Sequence, residues 1–485
     1  MTFRMHCGAD RVRQALDNQS CGHSVQHRVA VKGCAALPAM ASEPLLPAQG
    51  TSAEVGGGGV VYAHLPTDVR KQWYALAFSA DIPAAKPKRV GQAAPTPMST
   101  SLLGDPLVLW RDLQGKAHCV ADKCPHRSAP LSLGTVNGDS GHVECIYHGW
   151  QIEGTSGHVV EIPALQEGKP IPSNAKVQTY PVLEQDGVVY VWPGPPEAAE
   201  DTASPPRDMT DEGTALADPS SGFVLSTMCL DLPIDHSLMV ENLLDPAHIP
   251  FAHEGTIGSR KKIEKMNMTI EKTANGFRGR IKPEYYNAFE APCNIVLHTP
   301  PKPGSWDMYQ YVACTPTAPG QMRMVYRAYR NFATWVEKVP PLKRAFDRMS
   351  QKIVFQDYQL LLGQQLRLRE HALPWNSTIQ VDCLPLAYRK YWQRTFGKKD
   401  GPWWRGWDGK LDLEDLEKLG SFDKEFDCNG CALPKRPHHP QNVLEVSGTP
   451  GVALRPEPSA AWKVWGPPLA AAVLATLCTS KLMRA

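Results

Sequence analysis

The stretch Cys124-Pro-His126-Arg, followed by Cys145-Ile-Tyr-His148-Gly-Trp, decides how this sequence is interpreted. Each part contains one Cys and one His, in the patterns C-x-H and C-x2-H, and eighteen residues separate His126 from Cys145. Zinc sites usually combine C-x2–4-C with H-x3–5-H, so this short, unequal spacing is unusual for zinc. It favours a [2Fe–2S] cluster with two Cys on one iron and two His on the other. A structural zinc site with the same four ligands is the alternative.

A β-hairpin is predicted directly before the first ligand pair. The apolar run Leu107–Trp110 is followed by a polar turn containing Gly115 and by a second short apolar run, which is typical of two paired strands. Cys119 lies on the second predicted strand and is interpreted as a core thiol. His142 and His158 fall outside the ligand spacing and are interpreted as surface histidines.

A second ligand pattern, E-x3-D-x2-H-x4-H, runs from Glu241 to His253. Two neutral His and one carboxylate form the facial triad of non-heme Fe(II) oxygenases, which leaves open positions on the metal. His248 and His253 supply the two imidazoles. Asp357, in a segment of helical composition, is the predicted third ligand, and Asp245 is the alternative. A [2Fe–2S] centre delivers single electrons and a mononuclear iron binds O2, so the two sites together predict a terminal oxygenase.

Composition excludes several other classes of protein. The chain has 485 residues with 51 Lys+Arg, 49 Asp+Glu and a net charge of +2, which gives no reason to expect a nucleic-acid partner. With 42% hydrophobic and 21% charged residues, the chain is neither mostly disordered, nor fibrous, nor a multi-span membrane protein. Its 13 Cys are odd in number and scattered, unlike a disulfide scaffold. Its 44 Pro predict many loops and edge strands rather than long helices.

On these motifs the sequence resembles the Rieske non-heme iron oxygenases from about residue 70 to residue 370. The resemblance implies an α+β fold, with an N-terminal antiparallel-β Rieske domain and a helix-grip-like catalytic domain whose sheet supports the iron site. It implies that the [2Fe–2S] ligands are Cys124, His126, Cys145 and His148, and that the iron ligands are His248, His253 and Asp357. Asp245 would link a cluster-ligating His of a neighbouring subunit to an iron-ligating His. That role implies a ring-shaped homo-oligomer, typically a homotrimer.

Within this family, Asp245-Pro-Ala-His248-Ile-Pro-Phe-Ala-His253 looks like the chloroplast branch of pheophorbide a oxygenase and its relatives. A later C-x-x-C pair, Cys428 and Cys431, also resembles this branch. The pair is predicted to be a redox switch addressed by thioredoxin, with a metal-binding role or two inert thiols as alternatives. Ile146 and Ser128 stand where the family often has Pro and Gly, but neither position supplies a ligand.

Both ends of the chain differ from the middle. Residues 1–60 are rich in Arg, end in Ala and Gly, and predict an organelle transit peptide or a disordered leader. The apolar stretch at 462–480, flanked by Trp and by basic residues, predicts a short membrane anchor or a membrane-surface helix, with a soluble helix as the alternative. Between them we expect a Rieske domain at 70–200, a catalytic domain at 215–400 and an extension at 401–450. The aromatic stretch Tyr388–Trp407 is predicted to form an apolar wall, a membrane contact or plain core packing.

The resemblance therefore implies a chloroplast enzyme associated with the envelope or thylakoid membrane. It would use O2 and reduced ferredoxin on a chlorophyll-derived tetrapyrrole, most of all pheophorbide a, and open the ring in chlorophyll catabolism. One alternative is a hydroxylase of protochlorophyllide, chlorophyllide a or a phyllobilin. The other is a non-catalytic, redox-sensing Rieske subunit of the chloroplast import translocon.

Overall fold

The computed structural model describes residues 61–87, 93–200, 202–263, 265–282, 285–299, 306–369 and 377–396. These residues form an α+β fold in which the strands come first and then mix with helices, as predicted. The strands are β1 Tyr74–Phe78, β2 Met98–Leu102, β3 Asp105–Arg111, β4 Ala117–Ala121, β5 Thr135–Val136, β6 Val143–Glu144, β7 Gln151–Ile152, β8 Val159–Glu161, β9 Thr179–Tyr180, β10 Val182–Gln185, β11 Val188–Val191, β12 Val224–Leu232, β13 Thr269–Lys272, β14 Gly276–Arg280, β15 Tyr286–Glu290, β16 Asn294–Thr299, β17 Met308–Ala318 and β18 Gln321–Arg330. The α-helices are α1 Pro196–Glu200, α2 His236–Leu244, α3 Ile249–Ala252, α4 Pro340–Arg369 and α5 Cys383–Thr395.

The N-terminal part consists of small antiparallel sheets. Two have four strands each, in the orders β2-β3-β4-β9 and β5-β6-β7-β8, and a third has the order β1-β11-β10. The predicted hairpin is confirmed, because β3 pairs with β4 across a turn in which Gly115 has φ +79°. Cys119 on β4 is 1% exposed, which confirms its assignment as a core thiol.

The C-terminal part is built on one seven-stranded antiparallel sheet, in the order β12-β18-β17-β16-β15-β14-β13. Its long central strands alternate between two packed faces, and this explains why β17 and β18 are buried along most of their length. Helix α2 packs against β15–β18, and α4 and α5 pack against α2. Helix α5 approaches β14 so closely that a Cβ on Gly279 would lie 2.4 Å from a methyl group of Leu384.

Two polar contacts join the first strand to this sheet. Thr315 donates a 2.5 Å hydrogen bond to the carbonyl of Ala75. Arg323 forms an ion pair with Asp231 at 2.6 Å and also donates to the carbonyl of Leu76. Since both bonds use main-chain carbonyls of β1, they fix the strand's position against the sheet without depending on its side chains.

The expectation that the many prolines exclude long helices is wrong for α4, which is 30 residues long. Two of the prolines, Pro340 and Pro341, lie in its first turn. A first-turn N–H has no partner within the helix, so a proline there breaks no hydrogen bond. Position along the helix therefore decides the effect of proline, and composition does not report position.

Several predicted segments lie outside the described residues. These are the leader at 1–60, the pair Cys428 and Cys431, the extension at 401–450 and the apolar stretch at 462–480. Among the residues that are described, no helix combines the length and apolar character needed to cross a membrane. Within the described part of the aromatic stretch, Tyr388, Tyr391 and Trp392 are buried in the core, as the packing alternative predicts.

Candidate functional site

The two Cys–His loops have the same main-chain hydrogen bonds. The amide of Cys124 donates to the carbonyl of Ala129, and the amide of Ser128 donates to the carbonyl of Cys124, both at 2.9 Å. In the second loop the amide of Cys145 donates to the carbonyl of Trp150, and the amide of Gly149 donates to the carbonyl of Cys145, again at 2.9 Å. Each Cys is therefore held inside a tight turn that also carries its His.

This turn requires a left-handed residue four positions after each Cys. Gly149 takes that position in the second loop with φ +71°, and Ser128 takes it in the first with φ +58°. A left-handed conformation costs a non-glycine residue about 1–2 kcal/mol, which explains why Gly is often found at the position of Ser128. The first loop is held further by Asp122, whose carboxylate accepts bonds from the amide and the hydroxyl of Ser132 at 2.8 and 2.5 Å.

The loops bring the four predicted cluster ligands together as two pairs. Cys124 and Cys145 are buried and in side-chain contact. His126 and His148 face each other with 3.2 Å between their Nδ1 atoms. Burial raises the pKa of the Cys124 thiol to about 11, and its contact with Cys145 adds to this rise. The charge of a bound metal would be needed to hold that thiol as a thiolate near neutral pH.

A two-metal cluster fits this arrangement better than a single zinc ion. Zinc would draw all four ligand atoms around one centre. Within the described residues, however, the one group of three or more possible ligands lying within 4.8 Å of one another is elsewhere in the chain. A sulfur pair at one end and an imidazole pair at the other match a [2Fe–2S] unit with one iron at each end.

Aromatic rings cover both imidazoles of this site. Trp150 stacks on His126 with ring centroids 4.5 Å apart and planes 3° apart, and Tyr147 lies 3.9 Å from His148. His126, Tyr147 and Ile146 are exposed, Ile146 by 67% and Tyr147 by 57%. The imidazole end of the site therefore faces outward, while its sulfur end faces the core.

The second site begins where helix α2 ends. Asp245 terminates α2, and its Oδ1 accepts a 2.7 Å bond from the amide of Ala247, which starts a 3-10 turn through His248. Helix α3 follows directly and ends before His253. His248 therefore ends a 3-10 turn and His253 follows a one-turn helix, and this places residues five apart so that both face one point.

The structure brings these two His to Asp357 on α4. The Nε2 atom of His253 lies 3.2 Å from Asp357 Oδ1, and the Nε2 atom of His248 lies 3.6 Å from the same oxygen. Ligand atoms bound about 2.1 Å from one metal ion in neighbouring positions are about 3 Å apart. Two imidazoles and one carboxylate at these distances fit the ligand set of a mononuclear non-heme iron. The carboxylate that faces both ligand nitrogens is that of Asp357 and not that of Asp245.

Charge and burial differ between the residues around this triad. Burial lowers the pKa of His253, but the hydrogen bond and the charge of Asp357 outweigh it, so the pKa of His253 is raised. Asp245 lies on the other edge of His248, with its Oδ2 atom 3.8 Å from Nδ1. Burial raises the pKa of Asp245, although the amide of Ala247 and the charge of His248 act against this.

Sequence reasoning missed three polar residues that contact the triad. Gln356 Oε1 lies 3.1 Å from Nδ1 of His253 and 3.0 Å from the Thr256 hydroxyl. Asn242 Nδ2 lies 3.5 Å from Asp357 Oδ1. Gln356 directly precedes Asp357, so proximity to the predicted ligand was the one available signal. The contact of Asn242 spans 115 positions and has no local signal.

A buried ion pair supports helix α2 from behind. Glu241, one turn before Asp245, pairs with Arg389 of α5, and their side chains are only 8% and 4% exposed. A buried pair of this kind is costly to separate. It joins α2, the helix that ends at Asp245, to α5, which packs on it. The two His outside the ligand spacing differ in exposure, because His158 is exposed and His142 is half-buried.

Comparison with known proteins identifies two families in the chain. Residues 72–181 match the family described as Rieske [2Fe-2S] domain. Residues 289–375 match the family described as pheophorbide a oxygenase. The first range contains both Cys–His loops, and the second contains α4 with Asp357.

Curated relatives carry chloroplast names. Chlorophyllide a oxygenase of Arabidopsis thaliana is 30% identical over 68% of this chain and 58% of its own length. Pheophorbide a oxygenase of Oryza sativa subsp. japonica is 30% identical over 69% of this chain and 66% of its own length. Protein TIC 55 of Arabidopsis thaliana is 31% identical over 54% and 47%. The chain matches about half the length of the chlorophyllide a oxygenases, 48% for that of Chlamydomonas reinhardtii.

Solved structures share the fold at lower identity. Dicamba monooxygenase bound to 3,6-dichlorosalicylic acid aligns with a TM-score of 0.55 at 20% identity, over 68% of this chain and 98% of that one. NdmA of Pseudomonas putida CBB5 aligns with a TM-score of 0.54 at 21% identity, over 66% and 88%. Both family matches, the relatives and the two ligand sets agree. The chain belongs to the Rieske non-heme iron oxygenases, in the chloroplast branch that contains pheophorbide a oxygenase and chlorophyllide a oxygenase.

Proposed function

We propose that this protein is a terminal oxygenase that uses O2 and reduced ferredoxin to open the ring of a chlorophyll-derived tetrapyrrole, pheophorbide a. The observation that carries the proposal is the meeting of His248, His253 and Asp357 within 4.8 Å of one another, with Asp245 against the far edge of His248. A bound iron with open positions would supply the chemistry of O2 there. A non-catalytic protein that only carried the [2Fe–2S] cluster would not need such a triad.

The proposed roles follow from what each residue contacts. Cys124 and Cys145 would hold the inner iron of the cluster, and His126 and His148 the outer one, because the sulfur pair is buried and His126 is exposed. The anionic carboxylate of Asp357 would complete the mononuclear site and balance part of the metal's charge. Burial of His253 and Asp357, 2% and 6% exposed, keeps bulk water away from that side of the metal and strengthens its electrostatic contacts.

Electron transfer is proposed to occur between two copies of the chain. The cluster's imidazole end is exposed, and the side chain of Asp245 is 30% exposed. Both surfaces are thus accessible to a second molecule, with the apolar Ile146 and Tyr147 next to the imidazoles. A ring of three subunits would let each cluster contact the Asp245 of its neighbour. Its test is the molar mass in solution, which should equal three chains.

The choice of pheophorbide a is supported by the match of residues 289–375 to the family of that name. Chlorophyllide a is the second candidate substrate, because chlorophyllide a oxygenases match 67–68% of the chain. Protochlorophyllide and a phyllobilin are further candidates of the same class. Chlorophyllide a and protochlorophyllide are flat macrocycles like pheophorbide a, whereas a phyllobilin is an open-chain tetrapyrrole. Ring opening is the reaction proposed for pheophorbide a, and hydroxylation is the alternative for the other three.

The direct test is turnover with labelled oxygen. The full chain is purified without O2, reduced with ferredoxin and exposed to 18O2 with pheophorbide a or chlorophyllide a in parallel. We expect the pheophorbide a product to be heavier by labelled oxygen, with a ring-opened absorbance spectrum. Labelled product from chlorophyllide a alone would retain the oxygenase and reject the substrate. No labelled product and no O2 consumption with any tetrapyrrole would reject the enzyme and favour the redox-sensing subunit.

The chloroplast is the proposed location, on the basis of the chloroplast names of the relatives. Membrane association through residues 462–480 and a thioredoxin-addressed switch at Cys428 and Cys431 are proposals that concern residues beyond the described part. Cleavage of the leader during import of the full precursor into isolated chloroplasts would test the chloroplast location. The switch predicts that oxidation changes the turnover of the unmodified chain but not that of C428S or C431S. Turnover of the unmodified chain that is the same after oxidation and after reduction would reject it.

A further inference from the structure

His253 is held on both edges by consecutive residues of α4. Its Nε2 atom lies 3.2 Å from the carboxylate of Asp357, and its Nδ1 atom lies 3.1 Å from Oε1 of Gln356. The hydroxyl of Thr256 lies 3.0 Å from the same amide oxygen and 2.8 Å from the carbonyl of His253. One side of the ring therefore faces the metal position, and the other faces a fixed amide.

The second imidazole of the triad has a different partner. Nδ1 of His248 faces the carboxylate of Asp245 at 3.8 Å, whereas Nδ1 of His253 faces the neutral amide of Gln356. A carboxylate makes an imidazole ligand more electron-rich than an amide does, because it attracts the Nδ1 proton more strongly. The two His ligands of one metal thus have unequal electronic environments.

We propose that Gln356, oriented by Thr256, is a positioning residue that sets the tautomer of His253 and directs its Nε2 atom toward the metal position. An amide oxygen accepts a hydrogen bond and cannot take the proton, so Nδ1 stays protonated and Nε2 keeps its lone pair for the metal. The inference rests on the proposed function, because it assumes that the triad binds iron.

The geometry explains why Gln356 and Asp357 are neighbours in sequence. Successive residues on a helix point about 100° apart, so one helix can reach two edges of a ring that stands beside it. Thr256 comes from the chain just after His253 and limits the freedom of the amide. A long, flexible Gln side chain is costly to hold in one conformation, and a second hydrogen bond offsets part of this cost.

The test measures metal affinity and potential, which do not require substrate. The full chain with its cluster is treated with a chelator to remove mononuclear iron, and ferrous iron is then titrated back. Q356L removes the acceptor at similar volume, Q356E keeps an acceptor but adds a charge, and T256V removes the orienting hydroxyl. Q359L is the matched control, because Gln359 lies on the same helix and is exposed.

We expect Q356L to weaken iron binding by roughly 10–100-fold, the usual effect of losing such a partner. T256V should weaken it less, and Q359L should leave it unchanged. Q356E should restore the affinity and lower the Fe(III)/Fe(II) midpoint potential below that of the unmodified chain. A purely packing role predicts equal effects of Q356L and Q356E and no change in potential.

Two results would overturn the proposal: wild-type affinity in Q356L, or an unchanged potential in Q356E. Failure of the proposed function has a different signature. In that case the unmodified chain itself would not take up mononuclear iron, and H253A would bind as much metal as the unmodified chain does.

Discussion

Replacing Arg389 by Met should destabilise the protein strongly, because it leaves the carboxylate of Glu241 buried without its cation. The two side chains are 4% and 8% exposed, and the guanidinium also lies 4.8 Å from the ring centroid of Trp392. Removing one partner of a buried ion pair costs about 3–5 kcal/mol. At roughly 2–4 °C per kcal/mol for a domain of this size, the melting temperature should fall by roughly 10 °C.

The pair also predicts how a second substitution behaves. The double variant E241L/R389M removes both charges of this pair, so stability should return to within about 1.5 kcal/mol of the unmodified chain. Denaturant unfolding followed by circular dichroism measures both variants. K390M is the matched control, since Lys390 is the next residue on the same helix and is exposed; it should change stability by less than about 0.5 kcal/mol.

The result has a functional consequence. Glu241 lies in the helix that ends at Asp245, so R389M should also retain less mononuclear iron while its cluster absorbance is unchanged. The reasoning is refuted if R389M loses less than about 1 kcal/mol, or if the double variant is as unstable as the sum of its two single variants.

Four further substitutions test other parts of the account. D245N should retain iron and cluster but slow oxidation of the reduced cluster by O2 and substrate by roughly 10–100-fold, as followed by stopped-flow absorbance; an unchanged rate would exclude Asp245 from the electron path. Burial raises the pKa of Glu290 from 4.5 to about 7, so the stability that its protonated form provides is complete below pH 4.5 and is lost as the pH rises through 7. E290Q lacks this loss. The unfolding free energy of E290Q minus that of the unmodified chain should therefore be larger at pH 8 than at pH 5, by up to about 3 kcal/mol; equal differences at both pH values would contradict the assignment. A Cβ at Gly157 would lie 2.2 Å from the carbonyl of Val177, whereas one at Gly168 would meet nothing within 4 Å, although both glycines have positive φ; G157A should therefore lose at least about 2 kcal/mol and G168A about 1 kcal/mol, and similar losses would show that backbone conformation alone matters.

The sequence predicted those parts of the fold that depend on local patterns. The hairpin of β3 and β4 follows from an apolar run, a polar turn and a glycine, all of them close together in the chain. The two Cys–His loops are equally local, since each ligand pair lies within one turn closed by its own main-chain hydrogen bonds. Such features depend on neighbours in sequence, and a single sequence contains them.

Features that depend on distant contacts were not predictable. Asp357 meets His253 across more than one hundred positions, and only the helical pattern around it indicated its inward direction. No motif pairs Gln356 with His253, Asn242 with Asp357 or Glu241 with Arg389, because each contact joins residues far apart in the chain. The rule on proline failed for α4, since the cost of a proline depends on its place in the helix.

The iron-to-sulfide ratio of the purified chain tests the central claim most directly. Anaerobically purified protein should contain about three irons and two acid-labile sulfides per chain, one iron more than a [2Fe–2S] cluster requires. D357A should lose the third iron and keep the cluster spectrum, while C145A should lose sulfide. Two irons in both the unmodified chain and D357A would contradict the account, because the triad would then hold no metal.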